Sequence, residues 1–321
     1  MKYVNKTFSL CLVFLAVLLL AFFSAVLQGI GNTGNTGRND DDDSVRFTRD
    51  DSMNVIQFKL QQMRKNIARQ GDQFEVGVNP AMEYSLAELC TPAPEYGADL
   101  SGCYSTNLPA TDISITPICI LPASYTGYYT SVKNQGSCSA WALVTCGVFE
   151  GAIKKVDGIT VDLSEEWLIE CNPYGYTCTS GWFAHGMHVA PGAVLGSEFI
   201  PGDCTHPYSH PYILDSWAYV GTSTGVPSTT AIKCAILRYG SVAALVYVDS
   251  YFQAYTGGCY TRNVTAKPNH FIILVGWDDS RCTTGGWRLK NSWGTGWGES
   301  GFMWIKYGVS QVGYAANYVV Y

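Results

Sequence analysis

An apolar run from Phe8 to Leu27, broken only by Ser9 and Ser24, stands near the start of the 321-residue chain, and eleven of the twelve cysteines follow it. Cysteines in that number persist as structural groups where the compartment is oxidising. The run supplies the means of reaching one. Lys2 and Lys6 precede it, Asp40–Asp43 follow it, and its length of about 20 residues is that of a bilayer-spanning helix. Residues 1–30 therefore read as a signal peptide or signal anchor. The remainder is expected in the secretory pathway: lysosomal or vacuolar, extracellular, or held at a membrane through residues 8–27. With 47% hydrophobic residues the exported part is built to fold. Its 20 basic against 26 acidic residues exclude nucleic acid as a partner, which needs a basic face for its phosphates.

Residues 31–52 read as a polar linker, because the repeat Gly31-Asn32-Thr33-Gly34-Asn35-Thr36-Gly37 and the acidic block after it have nothing to bury. Periodicity then predicts a helix from about Met53 to Ala68, with Val55, Phe58, Met63 and Ile67 as apolar positions, and Phe74–Asn79 reads as a short strand. Cys90 and Cys103 bracket a loop containing Pro and Gly. A local disulfide is the simplest account of them, although spacing does not fix connectivity. From about Leu108 the character changes. Residues 140–154 read as a buried helix, Ser164 starts another with Glu165 and Glu166 in its first turn, and residues 229–239 form a third between Ser228 and Gly240. Short strand-like runs follow at Val242–Val248, Phe271–Val275, Trp287–Leu289, Phe302–Ile305 and Tyr314–Tyr321. Helices first and strands later predict an α+β protein.

Five ordered segments carry a family resemblance. Residues 132–146 read Val-Lys-Asn-Gln-Gly-Ser-Cys-Ser-Ala-Trp-Ala-Leu-Val-Thr-Cys, and Leu163–Cys171, Cys178–Gly181, Asn269–Trp277 and Leu289–Phe302 follow. Together they resemble the papain-like cysteine peptidases, the group that includes the cathepsins, from near Leu121 to the end. The resemblance implies a two-lobed fold with a helical left lobe, an antiparallel β-barrel right lobe and a cleft between them. It divides the chain into the N-terminal hydrophobic helix, the linker, a propeptide-like segment over 53–106 and a peptidase domain over 107–321. Residues 77–83 keep the glycine and asparagine of the family's propeptide box but have Ala81 for phenylalanine and Glu83 for aspartate.

By position, His270 is then the catalytic base, Asn291 its orienting partner, Gln135 the oxyanion donor and Trp293 the shield over the His270–Asn291 bond. These are the groups a cysteine nucleophile needs: an imidazole to hold it as thiolate, a residue to orient the ring and an amide for the oxyanion. Gly181 and Asn269 would meet an extended peptide. Trp182, Phe183, Leu245, Pro268 and Asn317 would line the main side-chain pocket and suggest an apolar preference.

The nucleophile itself departs from the pattern. The family reads Gln-Gly-Ser-Cys-x-x-Cys-Trp-Ala; here Gln135-Gly136-Ser137-Cys138 runs into Ser139-Ala140-Trp141-Ala142, one residue short, with Ala140 at the nucleophile position before Trp141. A methyl group cannot attack a carbonyl. A shift of the nucleophile to Cys138 or Ser139 would misplace it, and Ser139 is turned about 100° around the helix. The expectation is a papain-family homologue without peptidase activity, binding a peptide or protein in its cleft, with its own propeptide-like segment among the candidates, or serving as a structural subunit. The alternative is an active cysteine endopeptidase whose nucleophile is masked by sequence error or engineering, or is supplied from Cys138.

The resemblance also suggests bridges Cys138–Cys178 and Cys171–Cys204. The family's bridge near the C-terminus is missing, and Cys259 and Cys282 flank the His270 strand, where they could replace it. The pairing of Cys119, Cys146 and Cys234 stays open, with Cys146 expected as a buried free thiol. Asn263-Val264-Thr265 is a candidate glycosylation site. His185, His188, His206 and His210 lack companion ligands at telling spacing and read as solvated surface histidines, so neither a metal nor a cofactor is expected.

Overall fold

The computed structural model describes residues 45–90, 119–138 and 140–321. Helix α1 (Met53–Gln70) starts at Ser52, whose side chain accepts the Val55 N–H, and ends at Gly71 in the left-handed region. It buries Ile56, Leu60, Met63 and Ile67, a stripe stepping by four, three and four. The predicted stripe was therefore half misplaced: Val55 is 40% exposed and Phe58 61%. Each lies next to the true stripe in sequence or two places from it, and one residue turns the helix by about 100°. Strand β1 (Gln73–Val76), a 3-10 turn (Pro80–Glu83) and the single-turn helix α2 (Leu86–Leu89) follow. Ser85 and Glu88 close a capping box on α2. The linker expectation needs correction at its C-terminal end. Val45 and Phe47 are buried with α1 in the core, as two apolar side chains close behind a polar stretch will be when a helix offers a face.

After β2 (Ser124–Thr126), helix α3 (Ala140–Asp157) is buried along most of its length. Its seat is the buried Glu150 carboxylate, which accepts from Thr130 Oγ1 at 2.5 Å, Lys133 Nζ at 2.8 Å and the Leu163 N–H at 3.0 Å. Helix α4 (Glu165–Cys171) is capped by Ser164, and α5 (His185–Val189) is a short turn leading to β3 (Ser216–Tyr219). Helix α6 (Thr229–Tyr239) runs between its Ser228 cap and Gly240. Then come β4 (Val242–Val246), α7 (Ser250–Gln253), β5 (Tyr255–Tyr260), β6 (His270–Asp278), β7 (Gly286–Lys290), β8 (Phe302–Lys306) and β9 (Tyr314–Val320).

The strands form one sheet in the order β1-β5-β8-β7-β6-β4-β9-β3, with β2 also paired to β6. Its centre is covered on both faces. Along β6, Phe271, Ile273 and Val275 share a core with α3, whereas Ile272 and Leu274 share one with α1 and α6; successive side chains point to opposite faces. The fold class is α+β, as predicted, but the sheet is not closed into a barrel. One of its ends is taken by β1 from the N-terminal segment, antiparallel to β5, and β5 pairs with β8 in parallel. Disulfides join Cys138–Cys178, Cys171–Cys204 and Cys259–Cys282. Cys90 is a buried free thiol. Its expected partner Cys103 lies outside the described residues, so the bridge between them is not part of this structure. The hydrophobic segment 8–27 and Ser139 lie outside the described residues too, and within them no helix is long and apolar enough to cross a membrane.

Candidate functional site

Three stretches meet where α3 begins. Gln135 is tied to the segment after β7: its N–H donates to the Ser292 carbonyl at 2.8 Å, and Ser292 Oγ donates to Gln135 Oε1 at 2.6 Å. The Gly294 N–H donates to the Lys133 carbonyl at 3.1 Å. The Gln135 amide is thereby fixed with its NH2 turned outward from Ser292. On β6, the His270 Nε2 donates to Asn291 Oδ1 at 2.8 Å, an oxygen that also accepts the Ser292 N–H at 2.8 Å. In a neutral ring this arrangement leaves Nδ1 as the bare lone pair. Nδ1 has no hydrogen-bond partner. Trp293 covers the pair, its ring centre 4.9 Å from that of His270. Four of the predicted residues, Gln135, His270, Asn291 and Trp293, are thus assembled as one buried polar group.

Ala140 is the first residue of α3 and is fully buried. The positive end of the helix dipole falls there, where a thiolate would be favoured, but the side chain is a methyl. Cys138 is consumed by its bridge to Cys178. Burial pushes His270 down to about 4, against the pull of Asn291 and of the Leu89 carbonyl. The ring is therefore neutral at physiological pH.

The occupant of the site is the chain itself. Gln135 Nε2 donates to the Leu89 carbonyl at 2.9 Å, so the group expected to cradle an oxyanion carries a peptide carbonyl of α2. The segment that delivers it is anchored by buried polar contacts. Gln253 Nε2 donates to the Ala81 and Tyr84 carbonyls, each at 2.8 Å, and Asn79 Nδ2 donates to the Gln253 carbonyl at 2.9 Å. The sequence pattern did not single out Ser292, Gln253 or the Leu89 carbonyl; a backbone acceptor leaves no residue signature.

The residues expected to line the side-chain pocket lie inside the fold. Trp182, Phe183, Leu245, Pro268 and Asn317 are all buried. Phe271, directly after His270, packs edge-on against Trp182 and Phe183 with ring centres 5.7 and 5.1 Å away. Trp182 Nε1 donates to Tyr219 Oη at 2.8 Å, and Asn317 Oδ1 is bonded to His185 Nε2 at 2.9 Å. The rings of Trp182, Phe183 and Phe271 pack on one another there. Gly181 is held against Trp141, where an added Cβ would come within 2.3 Å of the indole nitrogen. Asn269 spends its amide on the Val248 backbone. Phe271→Ala is expected to cost about 3–5 kcal/mol, measured by urea unfolding. A loss under about 1 kcal/mol would show that the ring is not a packing element.

Two of the four histidines read as surface groups prove to be core. His185 and His188 are buried, the first stacked on Phe183 and the second tilted against Phe149, and burial drives them down to about 4 and about 3. Turning two residues of α5 inward places both among aromatic rings. Among the described residues no three His, Cys, Asp or Glu side chains converge as a metal set. Asn263 is exposed, and its Oδ1 accepts the Ser310 N–H at 2.9 Å.

A model of the papain family of cysteine proteases matches residues 123–321. The fruit bromelain of Ananas comosus is 28% identical over 193 residues, 57% of this chain and 53% of that protein. Zingipain-2 of Zingiber officinale is 30% identical over 186 residues, 55% of this chain and 82% of that one. The chain thus spans about half the length of the bromelain it matches. The solved structure of the digestive procathepsin L2 proteinase from Tenebrio molitor larval midgut superposes with a TM-score of 0.71 at 26% identity, covering 83% of this chain and 90% of that one.

Proposed function

Because this chain belongs to the papain family of cysteine proteases, we propose that it is a catalytically silent member whose cleft holds its own residues 45–90 as a permanent ligand, and that it serves as a binding or structural subunit in an exported or membrane-tethered setting. The observation that carries this is the Leu89 carbonyl on Gln135 Nε2 at 2.9 Å. A peptide from elsewhere would have to displace that contact to reach the oxyanion donor. Ala140 at the head of α3 supplies no electron pair for attack on a carbonyl, so residues 45–90 have no route to self-removal at this centre. Three disulfides among the described residues support an oxidising destination.

A second reading rests on the intact His270–Asn291 pair with its free Nδ1, the base a working peptidase would need. The two are separated by one experiment on the exported protein. Mass spectrometry of the tryptic fragment from Asn134 to Lys154 fixes the residue before Trp141, and a thiol-directed epoxide probe reports any nucleophile. No labelling is expected, together with a chain that retains residues 45–90. Stoichiometric labelling abolished by His270→Ala would establish the peptidase instead, and clean removal of the chain near Leu108 would overturn the permanent ligand.

A further inference from the structure

Four cysteines are free among the described residues: Cys90, Cys119, Cys146 and Cys234. Cys146 is sealed inside α3 near the Glu165, Lys133 and Glu150 charges, and Cys90 is buried with Asp249 as its charged neighbour. Cys119 and Cys234 differ from both. They are partly exposed, and their thiols are hydrogen-bonded neighbours.

The backbone on each side is held in place independently of that contact. Cys234 sits midway along α6, whose Ile232, Ala235 and Ile236 are buried in the core. Lys233, next to it, reaches Asp279 in an ion pair of 2.5 Å. On the other side, the Pro122 carbonyl accepts Trp277 Nε1 at 3.1 Å, and the Ala123 carbonyl accepts the Asp279 N–H at 2.8 Å. Both thiols are thus delivered to one spot by elements anchored on the same end of β6. They also belong to a chain that carries three other bridges.

We infer that Cys119 and Cys234 form a fourth disulfide in the exported protein, fixing the start of the papain-like region to α6. The oxidant is a small disulfide of the secretory compartment, such as oxidised glutathione. One protein thiol, as thiolate, attacks a sulfur of that disulfide and releases one thiolate. The neighbouring thiol gives up its proton to water and attacks the protein-side sulfur of the mixed disulfide, releasing a second. Two protein thiols are oxidised, one small disulfide is reduced to two thiols, and no other group changes. The bridge does not depend on whether the cleft is catalytic.

Sequential alkylation of the full exported chain tests it. Free thiols are blocked with N-ethylmaleimide, the protein is reduced, and new thiols are capped with iodoacetamide. Trypsin releases Cys234 in the five-residue peptide ending at Arg238. Cys234 is expected to carry the second reagent in the wild type and the first in Cys119→Ser, while Cys171 and Cys204 carry the second in both. The first reagent on Cys234 of the wild type overturns the assignment, and so does the second reagent persisting in Cys119→Ser. If the variant does not fold, peptide mapping of the unreduced wild type decides alone. With Asp-N added to trypsin, Cys119 is isolated in residues 112–133, and the Cys234 peptide must then appear only linked to that fragment.

Discussion

A chain beginning at Cys119, with residues 45–90 removed, is expected to lose its cooperative unfolding transition. Leu60, Met63, Phe74, Val76, Met82 and Leu89 belong to the same buried cluster as Phe252, Tyr260, Trp293 and Trp297. Phe74 lies against Tyr260 with ring centres 4.7 Å apart. Full burial of side chains of this size is worth roughly 1.5–3 kcal/mol each, while a whole domain is stable by only about 5–15 kcal/mol. Removing the segment turns that shared core into an exposed apolar face. It also strips Gln253 of both its carbonyl acceptors. Denaturant titration followed by tryptophan fluorescence reads the outcome. A shortened chain that still unfolds cooperatively, with a midpoint close to that of the full protein, would sink the claim that the segment is integral.

Acid is expected to destabilise the protein between pH 6.5 and about pH 4. His185 and His270 are held down to about 4 and His188 to about 3, in each case chiefly by burial. Below pH 6.5 the unfolded chain binds protons at these rings and the native state does not, so stability present above that pH is lost as pH falls. By pH 4 each ring contributes a loss of about 3 kcal/mol. Glu165 works in the opposite direction. Burial raises it to about 7 against the pull of Lys133, so the native state takes its proton first and regains a comparable amount. The net loss is on the order of 6 kcal/mol. Unfolding midpoints measured at pH 7, 6, 5 and 4 should fall steadily, and His188→Phe should flatten the slope. A midpoint constant from pH 7 to pH 4 would mean that the rings are not buried as neutral groups.

Much of this was legible in the sequence, for identifiable reasons. Gln135, His270, Asn291 and Trp293 occupy segments of fixed spacing, and the structure brings them together. Helix α6 fell within its predicted bounds because Ser228 and Gly240 punctuate it. The stripe on α1 was read half out of phase, since Val55 and Phe58 are apolar yet lie off the face that Leu60 and Met63 define. The place of β1 in the sheet comes from pairing with β5, where Gln73 faces Cys259, 186 residues later. Long-range pairing leaves no local mark. The packing of Phe271, a bulky ring directly beside His270, on Trp182 and Phe183 joins residues about 90 apart in sequence and likewise leaves no local mark.

The pairing of β1 with β5 has a consequence for how copies of the chain meet. β5 contains Tyr255, Thr256, Cys259 and Tyr260, and its outer row of backbone donors and acceptors is met by Gln73–Val76. If the N-terminal segment were cut away, that row would become an open edge, a template on which a strand from another molecule could add. Retention of residues 45–90 leaves the four-residue β1, not the six-residue β5, as the terminal strand, and a shorter edge is a poorer template. Loss of that segment would then show as growth in particle size as well as in the unfolding transition.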